Sequence, residues 1–331
     1  MSLLASSLEH LPDPDERARR AVADRAASVL RPPGALARLD EVAAWLAGWQ
    51  RTERPAVERP HAVVFAADHG VATAGVSAYP AEVTAAMLDA LEKRAATAAA
   101  MASAIGATLD VVDAGVGRPT GDIRVEAAMD PAWFDDAVRL GVDAVARAQR
   151  ADLLVFGEMG IGNTTVSAAV AAALYDEPAA EWCGRGTGVD DAGLARKIEA
   201  VERCRRRVRG RTSDPLEILR EAGGAELAAI AGATAEARRR SIPVVLDGFV
   251  ATAAVAPLSR TRPGALDHVI AGHSSSEPGH GRLLELLGMR PLLDLEMRLG
   301  EGSGALAAVP LVRLAAAAVV DVATFQEWGL A

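Results

Sequence analysis

A glycine-rich segment at residues 157–165 follows an apolar run that ends at Phe156, and it precedes an Ala- and Val-rich stretch typical of a helix. Glycines at such a turn let the backbone approach a ligand, and the free N–H groups of a helix start favour an anion such as a phosphate. The segment lacks a Walker A pattern and does not complete the GxGxxG fingerprint of a dinucleotide site. The pattern supports a phosphate site and a plain turn with Asn163 as N-cap about equally. Glu158 favours a ligand site, because open α/β sheets bind ligands at the carboxyl ends of their strands.

A second carboxylate, Glu301, lies between two glycines in the loop at residues 299–304. The glycines leave this carboxylate without neighbouring side chains and allow a substrate to come close. Partial desolvation would raise the pKa of Glu301 towards neutrality, which suits a general base. A hinge or helix start with an incidental glutamate explains the pattern equally well.

Other polar residues follow predicted strands or helix starts. Lys197 lies about two turns into a predicted helix, where it would reach either a phosphate at the neighbouring helix start or solvent. Asp68 and His69 end the first strand and suggest catalysis or metal binding, but no second cluster at ligand spacing supports a metal. His273 and His280 flank a polar loop and are either site residues or loop residues that satisfy backbone groups. No G-x-S-x-G elbow is present, which disfavours a serine hydrolase.

Short apolar runs alternate with helix-length segments, which indicates βα units and a parallel sheet. We predict an α/β fold, a mostly parallel sheet flanked by helices (Rossmann-like), with a smaller helical domain formed from the N- and C-terminal segments. The predicted boundaries are 1–55 plus 305–331 for the helical domain and 56–304 for the α/β catalytic domain. Predicted strands lie at 61–67, 108–114, 152–156, 242–247, 267–271 and 291–295, and predicted helices at 80–106, 131–150, 163–175, 191–208 and 225–240.

The composition bounds the class of protein. The 331 residues are 50% hydrophobic, which is ample for a core, and the net charge of −9 disfavours a nucleic-acid partner. Two cysteines without metal-ligand spacing indicate a reducing compartment, and the N-terminal segment lacks a secretory signal pattern. The apolar region at 305–324 is interrupted by Pro310, Arg313 and Asp321, which favours a buried helix over a membrane span. We therefore expect a soluble, cytoplasmic protein with no membrane partner.

Several motifs are spread in order along nearly the whole chain. They are RPPGALARLDEVAAWLAGWQ, FAADHGVATAGVSAYPAEVTAAML, GEMGIGNTT, GTGVDDAGLARKIEAVE, IPVVLDGFVATAA, GHSSSEPGH and LDLEMRLGEGSGA. Together they resemble the nicotinate-nucleotide:dimethylbenzimidazole phosphoribosyltransferase family of cobalamin synthesis. GEMGIGNTT with a downstream LGEG[ST]G is highly specific to that family.

The resemblance implies transfer of the 5-phosphoribosyl group of nicotinate mononucleotide to 5,6-dimethylbenzimidazole, giving α-ribazole 5′-phosphate and nicotinate. It implies that Glu301 is the base that removes the azole proton while the other ring nitrogen attacks C1 of the ribose. It also implies no metal and no cofactor, and a homodimer with the active-site cavity near the subunit boundary.

Further site residues are carried over by the resemblance. The phosphate would be bound by Gly160, Ile161, Gly162, Asn163 and Lys197. The ribose and nicotinate would be bound by Glu158, Gly186, Gly248 and Ser275. The azole would be bound by Ser77, Tyr79, Pro80, Met87 and Leu299.

The chain departs from the common family pattern at Ala67, Ala86 and Ser274, where relatives often have Gly, Gln and Arg. The last two differences bear on which azole or nucleotide is preferred. Two other functions stay open: a nucleotide- or azole-binding protein that has lost catalysis, and a hydrolase in which water replaces the azole. The intact Glu301 loop argues against a pure binder.

Overall fold

The computed structural model describes residues 2–330 and has a five-stranded sheet at its centre. The strands are β1 (Pro60–Ala67), β2 (Thr108–Gly115), β3 (Leu153–Met159), β4 (Val244–Leu246), β5 (Val269–Ala271), β6 (His273–Ser274) and β7 (Leu293–Asp294). Every neighbouring pair of strands in the five-stranded sheet is parallel, in the order β2-β1-β3-β4-β5, which confirms the predicted α/β class. A separate parallel pair, β6 and β7, lies outside this sheet.

Helices surround the sheet. Those in the first half of the chain are α1 (Leu3–Ser7), α2 (Glu16–Ser28), α3 (Arg38–Gln50), α4 (Val83–Glu92), α5 (Thr97–Ala104), α6 (Pro131–Arg147) and α7 (Asn163–Tyr175). Those in the second half are α8 (Asp191–Arg209), α9 (Pro215–Ala222), α10 (Ala225–Arg239), α11 (Phe249–Thr261), α12 (Pro278–Leu286) and α13 (Ser303–Val320). Short 3₁₀ turns lie at Gly70–Ala74 and Ala179–Glu181.

Both faces of the sheet are covered, because side chains alternate along each strand. On β1, Val63 and Phe65 join one apolar cluster, and Ala62 and Val64 join another. The first cluster includes residues of α1 and of α6 to α11, and the second includes residues of α2, α3, α5 and α13. Burial on both faces explains why the strands read as continuous apolar runs.

Helices α2 and α3, near the start of the chain, meet the C-terminal helix α13 on one side of the sheet. The guanidinium of Arg25 on α2 donates to the carbonyl of Val322, and that of Arg31 donates to the carbonyl of Ala318 on α13. The apolar cluster around these helices also contains sheet residues, and α1 packs on the opposite side against α6 and α10. The domain boundaries at residues 55 and 304 stay a prediction.

Helix α13 has the length and hydropathy of a membrane-spanning helix. Within residues 2–330 it is the one helix that is long and apolar enough to cross a membrane, with a mean hydropathy of 1.9. In the structure its residues Leu306, Val309 and Val312 are fully buried among α3, α5 and the sheet. Its apolar composition is therefore explained by its position in the protein core.

Several predicted elements differ from the structure. The helix predicted at 80–106 is two helices, α4 and α5, because Arg94 adopts a positive φ of 62° between them. No glycine or proline marks this break in the sequence. Strand β3 continues to Met159 instead of ending at Phe156, because it pairs with β1 up to Ala66. Helices α1, α9, α11 and α12 were not predicted.

We expect Gly141→Ala to lower the free energy of unfolding, because Gly141 on α6 touches the backbone of α10. A Cβ there would lie 1.8 Å from the carbonyl oxygen of Ala229. Overpacking of this kind costs about 1–3 kcal/mol or more. Gly281→Ala is the matched control in α12, where a Cβ meets nothing within 4 Å; it should stabilise by about 0.5–1 kcal/mol. Denaturant unfolding measures both, and an equal effect would contradict the packing argument.

Candidate active site

The polar motifs converge where the order of strand addition reverses within the sheet. From β1 the chain crosses to β2 at one edge and then returns to β3 on the other side of β1. Open α/β sheets bind ligands at the carboxyl ends of strands at such a point. The turn after β3 and the loop before α13 lie there side by side.

Glu301 sits in a strained loop that packs against β3. Gly300, Glu301 and Gly302 all have positive φ, and for Glu301 the value is 60°. A non-glycine residue in this region costs free energy that the surrounding structure must offset. The Glu301 N–H donates to the carbonyl of Glu158, and a Cβ on Gly157 would lie 2.2 Å from the nitrogen of Gly302. Only glycine at 157 allows this approach.

The buried carboxylate of Asp247, directly after β4, fastens the same loop to the start of α13. It accepts hydrogen bonds from the N–H groups of Gly302 at 3.1 Å, Gly304 at 2.7 Å and Ala305 at 3.1 Å. These are helix-start donors that lack partners within the helix. Burial raises the pKa of Asp247 to about 6, although the hydrogen bonds act in the opposite direction.

Glu301 itself is 3% exposed, and its carboxylate accepts a hydrogen bond from the N–H of Ala98 near the start of α5. Burial raises the pKa of Glu301 above its ordinary value, while the Ala98 N–H lowers it. A desolvated carboxylate of this kind can accept a proton near neutral pH.

Glu158 completes a group of buried carboxylates. Burial raises its pKa well above the usual range, and the nearby Asp247, Glu226 and Glu301 raise it further. One oxygen accepts a hydrogen bond from the side-chain amide of Asn163, which opposes the rise. Glu158 thus joins the Glu301 loop to the start of α7.

The turn before α7 has some of its backbone donors already engaged. The N–H of Ile161 donates to the hydroxyl of Thr84, and that of Asn163 donates to the carbonyl of Gly160. Within residues 2–330, the N–H groups of Gly162 and Thr164 have no acceptor. Both donors are free to bind an anion at the helix start.

Lys197 reaches the same turn from α8. It is 1% exposed, and its ammonium donates to the hydroxyl of Thr164 and to the carbonyl of Gly184, both at 2.9 Å. Burial lowers its pKa. The N–H of Gly186 donates to Glu277 at 2.8 Å, which holds the 184–188 turn beside the ammonium. The alternative in which Lys197 points to solvent is therefore wrong.

Two neighbouring cavities lie along these elements and share the wall at Gly160, Ile161, Asn163 and Gly186. The cavity at the sheet edge is also lined by the predicted residues Glu158, Gly248, Ser275 and Leu299. The second is also lined by the predicted residues Gly162, Lys197 and Ser77.

The remaining predicted azole residues are not gathered into these cavities. Tyr79 is 51% exposed and Pro80 is exposed in the loop before α4, while Met87 packs partly against the core. Leu299 is 50% exposed at the cavity wall. The structure therefore brings together the predicted phosphate and ribose residues more closely than the azole residues.

His69 is paired with a residue that the sequence pattern did not identify. Its Nε2 lies 2.8 Å from the carboxylate of Glu226 on α10, and both side chains are fully buried. A Cβ on Gly160 would lie 2.9 Å from the same nitrogen, so the pair lies directly beneath the turn. Asp68 instead accepts the N–H of Gly117. Within residues 2–330, no cluster of three or more His, Cys, Asp or Glu is arranged to hold a metal ion.

Sequence reasoning also missed cavity residues that lie inside the quoted motifs. Arg298, three positions before Glu301, donates to the carbonyl of Gly186 and lines the cavity at the sheet edge. Glu277, in the motif GHSSSEPGH, lines the same cavity. Both residues are charged and lie close to predicted site residues in the sequence, but only the fold shows that they face the cavity.

Comparison with known proteins places these features in context. A phosphoribosyltransferase family model matches residues 11–330. The nicotinate-nucleotide–dimethylbenzimidazole phosphoribosyltransferase of Mesorhizobium japonicum is 51% identical over 320 residues, which are 97% of this chain and 95% of the relative. The protein of the same name from Novosphingobium aromaticivorans is 47% identical and is covered over 97% of its length. A crystal structure of CobT from Thermus thermophilus matches with a TM-score of 0.91 at 42% identity, covering 95% of this chain and 99% of that one.

We expect the contribution of Asp247 to stability to fall as pH rises. Its pKa is about 6 when folded and 3.8 ordinarily, so the folded state holds the proton more tightly between these values. The free energy of unfolding of the parent, minus that of Asp247→Asn, should fall by on the order of 2–3 kcal/mol from pH 4 to pH 6. Urea unfolding across this range measures it. The exposed Asp24→Asn is the control, and a pH-independent difference for Asp247→Asn would refute the expectation.

Proposed function

Because this chain belongs to the nicotinate-nucleotide:dimethylbenzimidazole phosphoribosyltransferase family, we propose that the cavity beside Glu158 and Glu301 is its active site. The enzyme transfers the 5-phosphoribosyl group of nicotinate mononucleotide to 5,6-dimethylbenzimidazole in the synthesis of the cobalamin lower ligand. The observation that carries the site assignment is the direct packing of the Glu301 loop on Gly157, beside the turn at residues 160–163 that is proposed to bind the phosphate.

In the proposed mechanism a ring nitrogen of the azole attacks C1 of the ribose while the bond from C1 to the nicotinate nitrogen breaks. The electron pair of that bond neutralises the positive pyridinium ring, which makes nicotinate a good leaving group. The proton on the other azole nitrogen passes to the carboxylate of Glu301. Attack from the opposite face inverts C1 from the β to the α configuration, which gives α-ribazole 5′-phosphate.

The buried position of Glu301 supports its role as base. A neutral azole is a weak nucleophile while it retains its proton, so a carboxylate with a raised pKa is suited to remove it. The Ala98 N–H and the strained backbone hold the carboxylate in one place. Glu158, near the end of β3, is proposed to contact the ribose.

For the phosphate we propose the turn Gly160, Ile161, Gly162 and Asn163, with Lys197 as its cation. The free N–H groups of Gly162 and Thr164 and the ammonium of Lys197 support this assignment. Gly186, Gly248 and Ser275 are proposed to line the rest of the nucleotide site, since they form walls of these cavities.

For the azole we propose an apolar site formed by Ser77, Tyr79, Pro80, Met87 and Leu299. Tyr79 and Leu299 are each about half exposed, and this exposed apolar surface supports a homodimer whose second subunit covers it. We propose that the protein acts in the cytoplasm without a metal or cofactor.

One assay tests the function against its two alternatives. Nicotinate release from nicotinate mononucleotide is measured by chromatography with and without 5,6-dimethylbenzimidazole. We expect release that depends on the azole and yields a stoichiometric amount of α-ribazole 5′-phosphate. Release without the azole would indicate a hydrolase, and tight binding without release would indicate a binding protein.

We expect Glu301→Gln to fold normally and to lose nearly all activity, because an amide cannot accept the azole proton. Loss of a general base typically costs a factor of about 10²–10⁴ in rate. Glu296→Gln is a matched control, since Glu296 is an exposed glutamate that also has a positive φ, of 55°. Steady-state kinetics measures both variants. Turnover of Glu301→Gln close to that of the parent would remove Glu301 from the base role.

We expect Lys197→Ala to raise the KM for nicotinate mononucleotide more than the KM for the azole. Loss of a charge-assisted hydrogen bond to the phosphate, about 1.5–3 kcal/mol, corresponds to about 10- to 100-fold. Lys93→Ala, at the exposed end of α4, removes the other lysine of the chain as a control. An equal rise in both constants would count against a phosphate contact.

A further inference from the structure

A buried histidine connects two walls of the nucleotide cavity. His280 on α12 is fully buried, and its Nε2 lies 3.0 Å from the hydroxyl of Thr252 on α11. That hydroxyl is also 2.9 Å from the carbonyl of Gly248. On the other side of the ring, the N–H of Ser275 donates to Nδ1 of His280 at 3.0 Å. Gly248 and Ser275 both line the cavity.

The hydrogen bonds assign the ring one protonation state. Nδ1 accepts the N–H of Ser275, so it carries no proton. The single proton of the Thr252 hydroxyl is donated to the Gly248 carbonyl, so its oxygen accepts a proton from Nε2 of His280. The ring is therefore neutral and protonated on Nε2. Burial, with a smaller effect of the neighbouring His273, lowers the pKa of His280 to about 3, which agrees with this assignment.

The chain of bonds joins segments that are separated in sequence. It begins at the Gly248 carbonyl at the start of α11, passes through Thr252 and His280, and ends at the backbone of Ser275 after β6. A Cβ on Gly248 would lie 3.7 Å from Cβ of Ser275, so the two walls nearly touch. Away from this direct approach, the ring of His280 links the two walls through hydrogen bonds.

We propose that His280 is a positioning residue, which fixes the Gly248 and Ser275 walls and so sets the affinity of the cavity for nicotinate mononucleotide. This inference rests on the proposed function only in naming the nucleotide. His280 touches neither the cavity nor the reacting atoms, and it acts through the backbone groups that it holds. Its loss would leave the N–H of Ser275 without this acceptor and the oxygen of the Thr252 hydroxyl without this donor, and the walls would move to satisfy them.

The test compares His280→Leu with His268→Leu. His268 is also fully buried and neutral, with its pKa lowered by burial to about 3, and its Nε2 lies 3.0 Å from the carbonyl of Thr234. It lies before β5, outside both cavities. Both variants lose a buried ring, so both should lose stability. Only His280→Leu should raise the KM for nicotinate mononucleotide, by about tenfold or more, with the KM for the azole unchanged.

Two further variants test the same hydrogen bonds if His280→Leu folds poorly. His280→Asn retains an acceptor near the position of Nδ1 and should recover most of the nucleotide affinity. Thr252→Val keeps the side-chain shape but removes the link to Gly248, and it should raise the same KM without changing His280. Calorimetric binding of nicotinate mononucleotide to each folded variant gives the affinity independently of turnover.

Equal effects of His280→Leu and His268→Leu on nucleotide binding would overturn the positioning role. So would an equal rise in the KM values for nucleotide and azole, or full affinity in Thr252→Val. A parent that binds the nucleotide but shows no azole-dependent nicotinate release would overturn the proposed function alone. In that case a loss of binding in His280→Leu would still support the positioning role.

Discussion

The backbone contact between β3 and the loop before α13 is the constraint on which the site depends. Gly157 and Gly302 approach so closely that no side chain fits at position 157 without moving the loop, and Gly302 has a positive φ of 81° that favours glycine. This contact places Glu301 next to Glu158 and gives Glu301 its strained backbone conformation. The strain is sustained by Asp247, whose carboxylate binds the N–H groups that follow the loop. Strain at such a position is characteristic of functional sites.

The contact has an electrostatic consequence, because it crowds buried carboxylates at one end of the sheet. Burial raises the pKa of Glu158, Asp247 and Glu301, and the neighbouring carboxylates raise the pKa of Glu158 further, so protons are held at a higher pH than on isolated side chains. Such a group accepts an azole proton more readily than a solvated carboxylate would. For the phosphate, in contrast, the proposed partners are backbone N–H groups and the buried Lys197. A protein with a net charge of −9 can therefore bind an anionic nucleotide without a basic surface.

The elements that the sequence predicts depend on interactions between residues close together in the chain, whereas the features that it misses have no local sequence signal. The strand at 61–67 and the helix at 163–175 were predicted nearly to the residue, because both depend on local apolar pattern and turn chemistry. The break between α4 and α5 was missed, since Arg94 adopts its left-handed conformation without a glycine to signal it. The functional pairing of Glu301 with the phosphate turn was inferred only through family resemblance.

The sequence by itself determined the α/β class, the glycine positions that permit close backbone approach, and the residue types available for proton transfer and anion binding. These follow from hydrophobic periodicity and from the chemistry of single residues. The tertiary structure alone decided which of these residues meet: that the N–H of Ile161 is engaged by Thr84, that Arg298 faces the cavity, and that His280 joins two of its walls. Such contacts link residues far apart along the chain, so no local pattern encodes them.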